Sequence, residues 1–338
     1  MRFALPLAAL FLPIAAFAHE VYVLDPSTVA ADIAATSPNP LFAYFGNEQQ
    51  FFFWGFVSFV TVSTILCASA FRLFEKRLDP FFFRIKRFAL PLIRLTVGLS
   101  LVVFGAHNIL FGPELPLASI GASMLQTLLV ALGVLVLAGA FTRYAAALAL
   151  VMYAYAVWAS SGYALLYLNH AGAYAVLLVL GGGAWSLDSF TGLGKLPQGI
   201  AVYMNALRPY ALPFFRMLFG TSIVLAALYA KFLHSQLALD VVARYHLTSY
   251  FPFDPLFVVL GALIIETLAG LMLVSGIEIR WTGLFLLFWI FLGQFSMDEG
   301  WWVHIILIGG GLAIFCHGYD RYSLEGVYLK RHGHEPLL

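Results

Sequence analysis

The stretch ALPLIRLTVGLS, residues 89–100, returns as ALPFFRMLFGTS at residues 211–222, with Ala, Leu, Pro, Arg, Gly and Ser at the same places in both. Two further pairs follow in the same order: GAFTR at 139–143 against GIEIR at 276–280, and GGGAWSLD at 181–188 against GGG at 309–311 followed by YSLE at 322–325. The offset is 122 residues in the first pair and 137 later, which places an insertion of about 15 residues in the first outer loop of the second copy. Each copy holds four apolar segments. An even number of crossings keeps both copies running in one direction, as in parallel membrane repeats.

The surrounding composition sets the solvent. Of 338 residues, 62% are hydrophobic and 10% charged, whereas soluble domains carry charge on about a quarter of their residues. An all-helical integral membrane protein is expected. Apolar segments near the roughly 20 residues that cross a bilayer fall at 51–71, 90–111, 118–140, 144–160, 169–185, 212–233, 255–275, 281–297 and 301–317. These predict nine transmembrane helices, with tandem four-helix bundles at 88–190 and 211–326 behind a first helix and basic inner loop at 51–87. An inner linker at 191–210, punctuated by Gly and Pro, and an inner tail at 327–338 complete the chain.

The start, MRFALPLAALFLPIAAFAHE, has one Arg, a short apolar run and the small-x-small pattern Ala16-Phe17-Ala18. It predicts a signal peptide over residues 1–18, with His19 opening a mature outer segment, 19–50. Arg72 to Arg87, Arg143, Lys195, Arg208, Arg280, Arg321, Lys330 and Arg331 all fall on one side if the mature N-terminus is outside. The expected topology is therefore N-out and C-in across an inner, cytoplasmic-type membrane, with the lipid bilayer as main partner. A net charge of +1 offers no field for nucleic acid. Cys67 and Cys316 form no CxxC or CxxCH, against thiol-disulfide chemistry and attached c-type haem. No phosphate-binding GxxxxGK[ST], GxSxG elbow or HExxH occurs.

Six of nine histidines gather toward the outer face: His19, His107, His170, His234, His246 and His304. An N-terminal histidine chelates Cu(II) through its amine and Nδ1, and a further imidazole from His170, His234, His246 or His304 would complete a copper site with His19. Paired imidazoles such as His107 and His304 on facing helices could instead hold b-type haem. Asp298, Glu299 and His304 share SMDEGWWVH, while His170 in LNHAG opens the matching helix of the first copy after a three-residue gap.

Arg216 with Gly220 four residues on, Lys231, Glu266, Gly276 with Arg280, and the closing RYSLE form a pattern that resembles the DoxX/DoxD family. The resemblance covers roughly residues 88–326 and implies two fused four-helix units. That family includes a subunit of thiosulfate:quinone oxidoreductase and other proteins of redox complexes. The resemblance thus implies quinone as a cofactor, a redox partner subunit, and an outer donor such as a reduced sulfur compound.

Glu266 lies 11 residues past Pro255, about 16 Å into the bilayer by helix rise. A carboxylate there costs about 2.5–3.5 kcal/mol unless it is protonated, paired or wetted. Its counterpart in the first copy is Leu129, and that of Lys231 is Ile109, so both charges are absent together. An ion pair predicts that joint absence. Glu266 and Lys231 are accordingly the candidate catalytic residues, and His107, His304 and Arg216 the candidate cofactor-binding ones. Three functions are compatible: a quinone-linked oxidoreductase subunit, a copper-binding or copper-transporting protein, and a non-catalytic scaffold of a redox complex.

Overall fold

The computed structural model describes residues 23–47, 77–117, 122–250, 253–297 and 300–329, with 55, 58, 59, 62 and 63 as isolated positions. The signal peptide, His19, nearly all of the first expected transmembrane helix, Asp298, Glu299 and the tail from residue 330 lie outside the described residues. Among the described residues the fold is helical, without a strand. Two short helices, α1 (Pro26–Ala34) and α2 (Phe42–Asn47), precede α3 (Ala89–His107), α4 (Ala122–Ala138), α5 (Thr142–Ala159) and α6 (Leu168–Leu180). After α7 (Leu187–Thr191) come α8 (Gln198–Leu228), α9 (Ser235–Arg244), α10 (Pro255–Ser275), α11 (Ile279–Met297) and α12 (Ile305–His317).

Among the described residues five helical stretches are long and apolar enough to cross a membrane: Arg77–His107, Tyr163–Leu180, Gln198–Leu233, Pro255–Ser275 and Ile279–Met297. Ala122–Ala138 and Trp301–His317 are apolar but shorter. α5 coincides with the span expected at 144–160 but is not among these five; Thr142, Arg143 and three tyrosines lower its mean hydropathy.

Local chemistry sets several ends. Asp254 caps α10, its side chain accepting from Leu256 N at 2.9 Å with Pro255 in the first turn. The same helix stops at Gly276, whose φ of 77° is open to glycine at little cost. The linker expected at 191–210 proves largely helical, because α8 runs unbroken from Gln198 through Pro209 and Pro213 to Leu228. The run IAVYMNALR is rich in helix formers, and the prolines sit inside the helix rather than ending it. The segment between α8 and α10, where the insertion is expected, forms α9, which packs Leu237 and Val241 against Val23, Leu24 and Val29.

Within the first half α3 packs on α4, α4 on α5, α5 on α6 and α6 on α3; in the second, α8 packs on α10, α10 on α11, α11 on α12 and α12 on α8. The halves meet where α6 lies against α8 and α12 against α3. Close backbone approach recurs at matching places. A Cβ on Gly98 would stand 2.9 Å from Gly133 O, and one on Gly220 2.5 Å from Gly270 O. Buried arginines also match: Arg94 donates to Gly182 O and Trp185 O, and Arg216 to Leu273 O and Val274 O. Arg143 donates to Val179 O, and Arg280 to Phe315 O and Cys316 O near the end of α12. Arg143, Arg216 and Arg280 satisfy carbonyls left open near a helix C-terminus, and Arg94 ties down the loop after α6.

Candidate functional site

α8 does not simply end at Leu228. It passes into a π-helical turn, Tyr229–Leu233, closed by His234 N donating to Tyr229 O at 3.0 Å. Such wide turns are frequent at functional sites. This one holds Lys231 with its Nζ 3.0 Å from Glu266 Oε2, the side chains 9% and 16% exposed. Trp289 Nε1, from α11, donates to the other oxygen, Glu266 Oε1, at 3.0 Å. An intramembrane carboxylate thus has both oxygens engaged, as its cost in lipid demands.

These groups line a cavity of about 100 Å³ between the halves, which α6 and the turn before it close from the other side. That space is several times what one water requires. His170, 1% exposed, faces it from α6. Its Nδ1 lies 3.1 Å from Asn169 Oδ1, and the Ser222 hydroxyl lies 3.2 Å from the same oxygen. With Asn169 Oδ1 as acceptor, Nδ1 carries the proton and Nε2 is an acceptor. Nε2 is buried and has no hydrogen-bond partner among the described residues. Phe104, Phe111 and Tyr167 box the ring, with centroids 5.6, 5.4 and 5.5 Å away.

Tyr163 and Tyr167 also line the cavity, and both hydroxyls donate to Glu114 Oε1, that of Tyr163 at 3.0 Å. Glu114 sits in the loop after α3, a tight hairpin in which Leu110 N donates to Leu115 O and Leu117 N to Asn108 O, both at 2.9 Å. The residue is partly accessible, but its Oε2 is shut off from solvent and has no hydrogen-bond partner among the described residues. Burial pushes the carboxyl up to about 7, against the opposing pull of the two phenols.

The expected site residues therefore separate. Lys231, Glu266, His170 and His304 share the one cavity. His304 is fully buried there, but at the offset of 137 His170 corresponds to Leu307, one turn further along α12. His107 is exposed and stacks flat on Trp302 at 4.3 Å, away from the cavity lining. Arg216 holds the end of α10 and lies 3.4 Å from Asp320, again outside that lining. His234 packs on Tyr229 at 4.5 Å, and burial pushes its imidazole below the ordinary histidine range. His246 is exposed at the end of α9 with φ of 50°. Among the described residues no three His, Cys, Asp or Glu side chains come together as a metal site, and His19 lies outside them.

Under the repeat expected from the sequence, the polar set has an apolar counterpart at every position. Lys231, Glu266 and Trp289 correspond to Ile109, Leu129 and Met152, which are 6%, 0% and 7% exposed. Trp289 was thus signalled by the third member of a joint replacement. Asn169 was signalled by its place beside His170, but Glu114, Tyr163 and Tyr167 carry no repeat pattern that marks them. Comparison with protein-family models, curated proteins and solved structures gives no match to this chain.

Proposed function

We propose that this chain is a quinone-reactive subunit of a membrane redox complex, built as two tandem DoxX-like four-helix units behind one N-terminal helix, N-out and C-in across an inner membrane. The observation that carries this reading is the cavity, where an apolar lining meets the Lys231–Glu266 pair on one wall and His170 Nε2 on another. A quinone head group needs a flat apolar slot with polar partners for its two ring oxygens. Lys231 supplies a donor for one oxygen. His170 Nε2 accepts from the hydroxyl at the other in the reduced ring. Glu266 holds the Lys231 ammonium in place and can exchange a proton with it. Electrons come from an outer donor, a reduced sulfur compound by the family resemblance, through a partner subunit.

The test is titration of the detergent-solubilised protein with a short-chain ubiquinone analogue, followed by tryptophan fluorescence. Saturable quenching is expected. Glu266→Gln and His170→Leu should each weaken binding tenfold or more, since a hydrogen bond to a charged or buried partner contributes about 1.5–3 kcal/mol. His19→Ala should leave it unchanged. Equal binding by wild type and both cavity variants overturns the reading. One equivalent of copper on a chain beginning at His19, without quinone binding, supports the copper alternative. Capture of a redox partner that survives both cavity variants, without quinone binding, supports the scaffold.

A further inference from the structure

At the other end of α12 from His304, about 20 Å away by helix rise, a second and larger cleft of about 720 Å³ opens between α8, the end of α12 and the helical segment before α3. Its rim carries Arg84, Lys86, Arg87 and Arg208, and among the described residues no acidic side chain lines it. Lys86 is buried along the lining, while Arg84, Arg87 and Arg208 are exposed at the mouth. His317 closes the floor. Its Nε2 is buried and has no hydrogen-bond partner among the described residues, and it faces the charges of Lys86, Arg280 and Arg216. Arg84, Arg87 and Arg208 around one hollow repel each other unless an anion joins them.

The neighbourhood says what kind of anion. Phe83, on the rim, is 56% exposed, and Leu207, Tyr210 and Phe214 on the same stretch of α8 are 46%, 50% and 47% exposed. An apolar strip thus runs out of the basic cleft along the outside of the helices. A free inorganic anion would use the cations and leave that strip bare, whereas a phospholipid would use both: its phosphate among the cations and its acyl chain along Phe83 and α8. The volume also exceeds what one phosphate fills, and suits a phosphoglycerol head group.

We infer that this cleft binds the head group of an anionic glycerophospholipid in the leaflet that carries the basic residues, and so ties the start of α3 to α8 through a lipid. Basic pockets between transmembrane helices recognise such head groups by charge. The inference stands apart from the quinone reading, since none of its residues lines the other cavity.

Native mass spectrometry of the full chain in mild detergent, with phosphatidylglycerol, cardiolipin or phosphatidylcholine added, tests it. Wild type should retain the two anionic lipids and release the zwitterionic one. Arg84→Gln with Arg208→Gln should lower anionic-lipid affinity by about 25-fold, roughly fivefold for each cation removed near the membrane surface. Both side chains are exposed, and Arg84→Lys with Arg208→Lys, which keeps the charge, should restore binding and so separates recognition from folding. Equal retention of phosphatidylcholine, or unchanged affinity in the glutamine pair, overturns the site. Full displacement by millimolar inorganic phosphate overturns the lipid and leaves a free-phosphate site.

Discussion

Replacing Glu266 by Leu and Lys231 by Ile, singly and together, rebuilds in the second copy what the first already has at Leu129 and Ile109. Removing one partner of a buried ion pair costs about 3–5 kcal/mol, because the other charge is left uncompensated. Here the pair borders a cavity able to hold water, so the lower end applies. Glu266→Leu should cost about 3 kcal/mol, including the acceptor lost by Trp289 Nε1. Lys231→Ile should cost about 2 kcal/mol, since the remaining carboxyl keeps its Trp289 bond and can take up a proton. With both charges gone the desolvation cost also goes, leaving about 2 kcal/mol for the orphaned indole and imperfect packing. The cycle therefore predicts a coupling of about 3 kcal/mol favouring the pair. Unfolding titrations of the four proteins in mixed micelles would measure it. Strict additivity, with the double variant near 5 kcal/mol, would refute the pair as the reason these two charges occur together.

Glu114→Gln keeps an acceptor for Tyr163 and Tyr167 but removes the titration. With the folded carboxyl up at about 7, the folded chain holds the proton more tightly, so stability falls as pH rises from the ordinary carboxylate range through 7 and is flat above. Relative to the variant, wild type should lose about 3 kcal/mol between pH 4 and pH 8. Melting curves across that range check it, and parallel profiles would contradict it. Gly220→Ala puts a Cβ 2.5 Å from Gly270 O and should cost about 1–3 kcal/mol by forcing α8 and α10 apart. Gly261→Ala, with nothing within 4 Å, should be neutral or stabilise by up to about 1 kcal/mol in the same melting assay. Arg280→Met strips the Phe315 and Cys316 carbonyls of their donor and should cost about 2–3 kcal/mol, measured the same way.

The helical class was readable from composition, and the Lys231–Glu266 contact from two charges missing together at Ile109 and Leu129. Both rest on strong, local physical costs: polar groups in lipid must be paired, wherever the helices lie. The course of α8 through 198–210 was not readable, because Pro209 and Pro213 signal a break that the surrounding helix formers and packing override. The described histidines part company for another reason. Lying toward one face fixes depth only, and rotation about each helix turns His170 and His304 inward but His107 out onto Trp302. Glu114 is not legible in the sequence because an acid in a loop ordinarily faces water, and only the fold of the hairpin turns this one toward two tyrosines.

The order of the polar set along the chain has a consequence for biosynthesis. Lys231 closes α8, Glu266 follows in the middle of α10, and Trp289 comes last on α11. A helix with a central carboxylate is among the least willing to leave the translocation channel for lipid, at about 2.5–3.5 kcal/mol for the charge. By the time α10 emerges from the ribosome its counter-charge has already been made, at the end of the preceding long apolar helix. Glu266 can therefore enter as half of a neutral pair, and Trp289 arrives to lock an acid that has already been accepted.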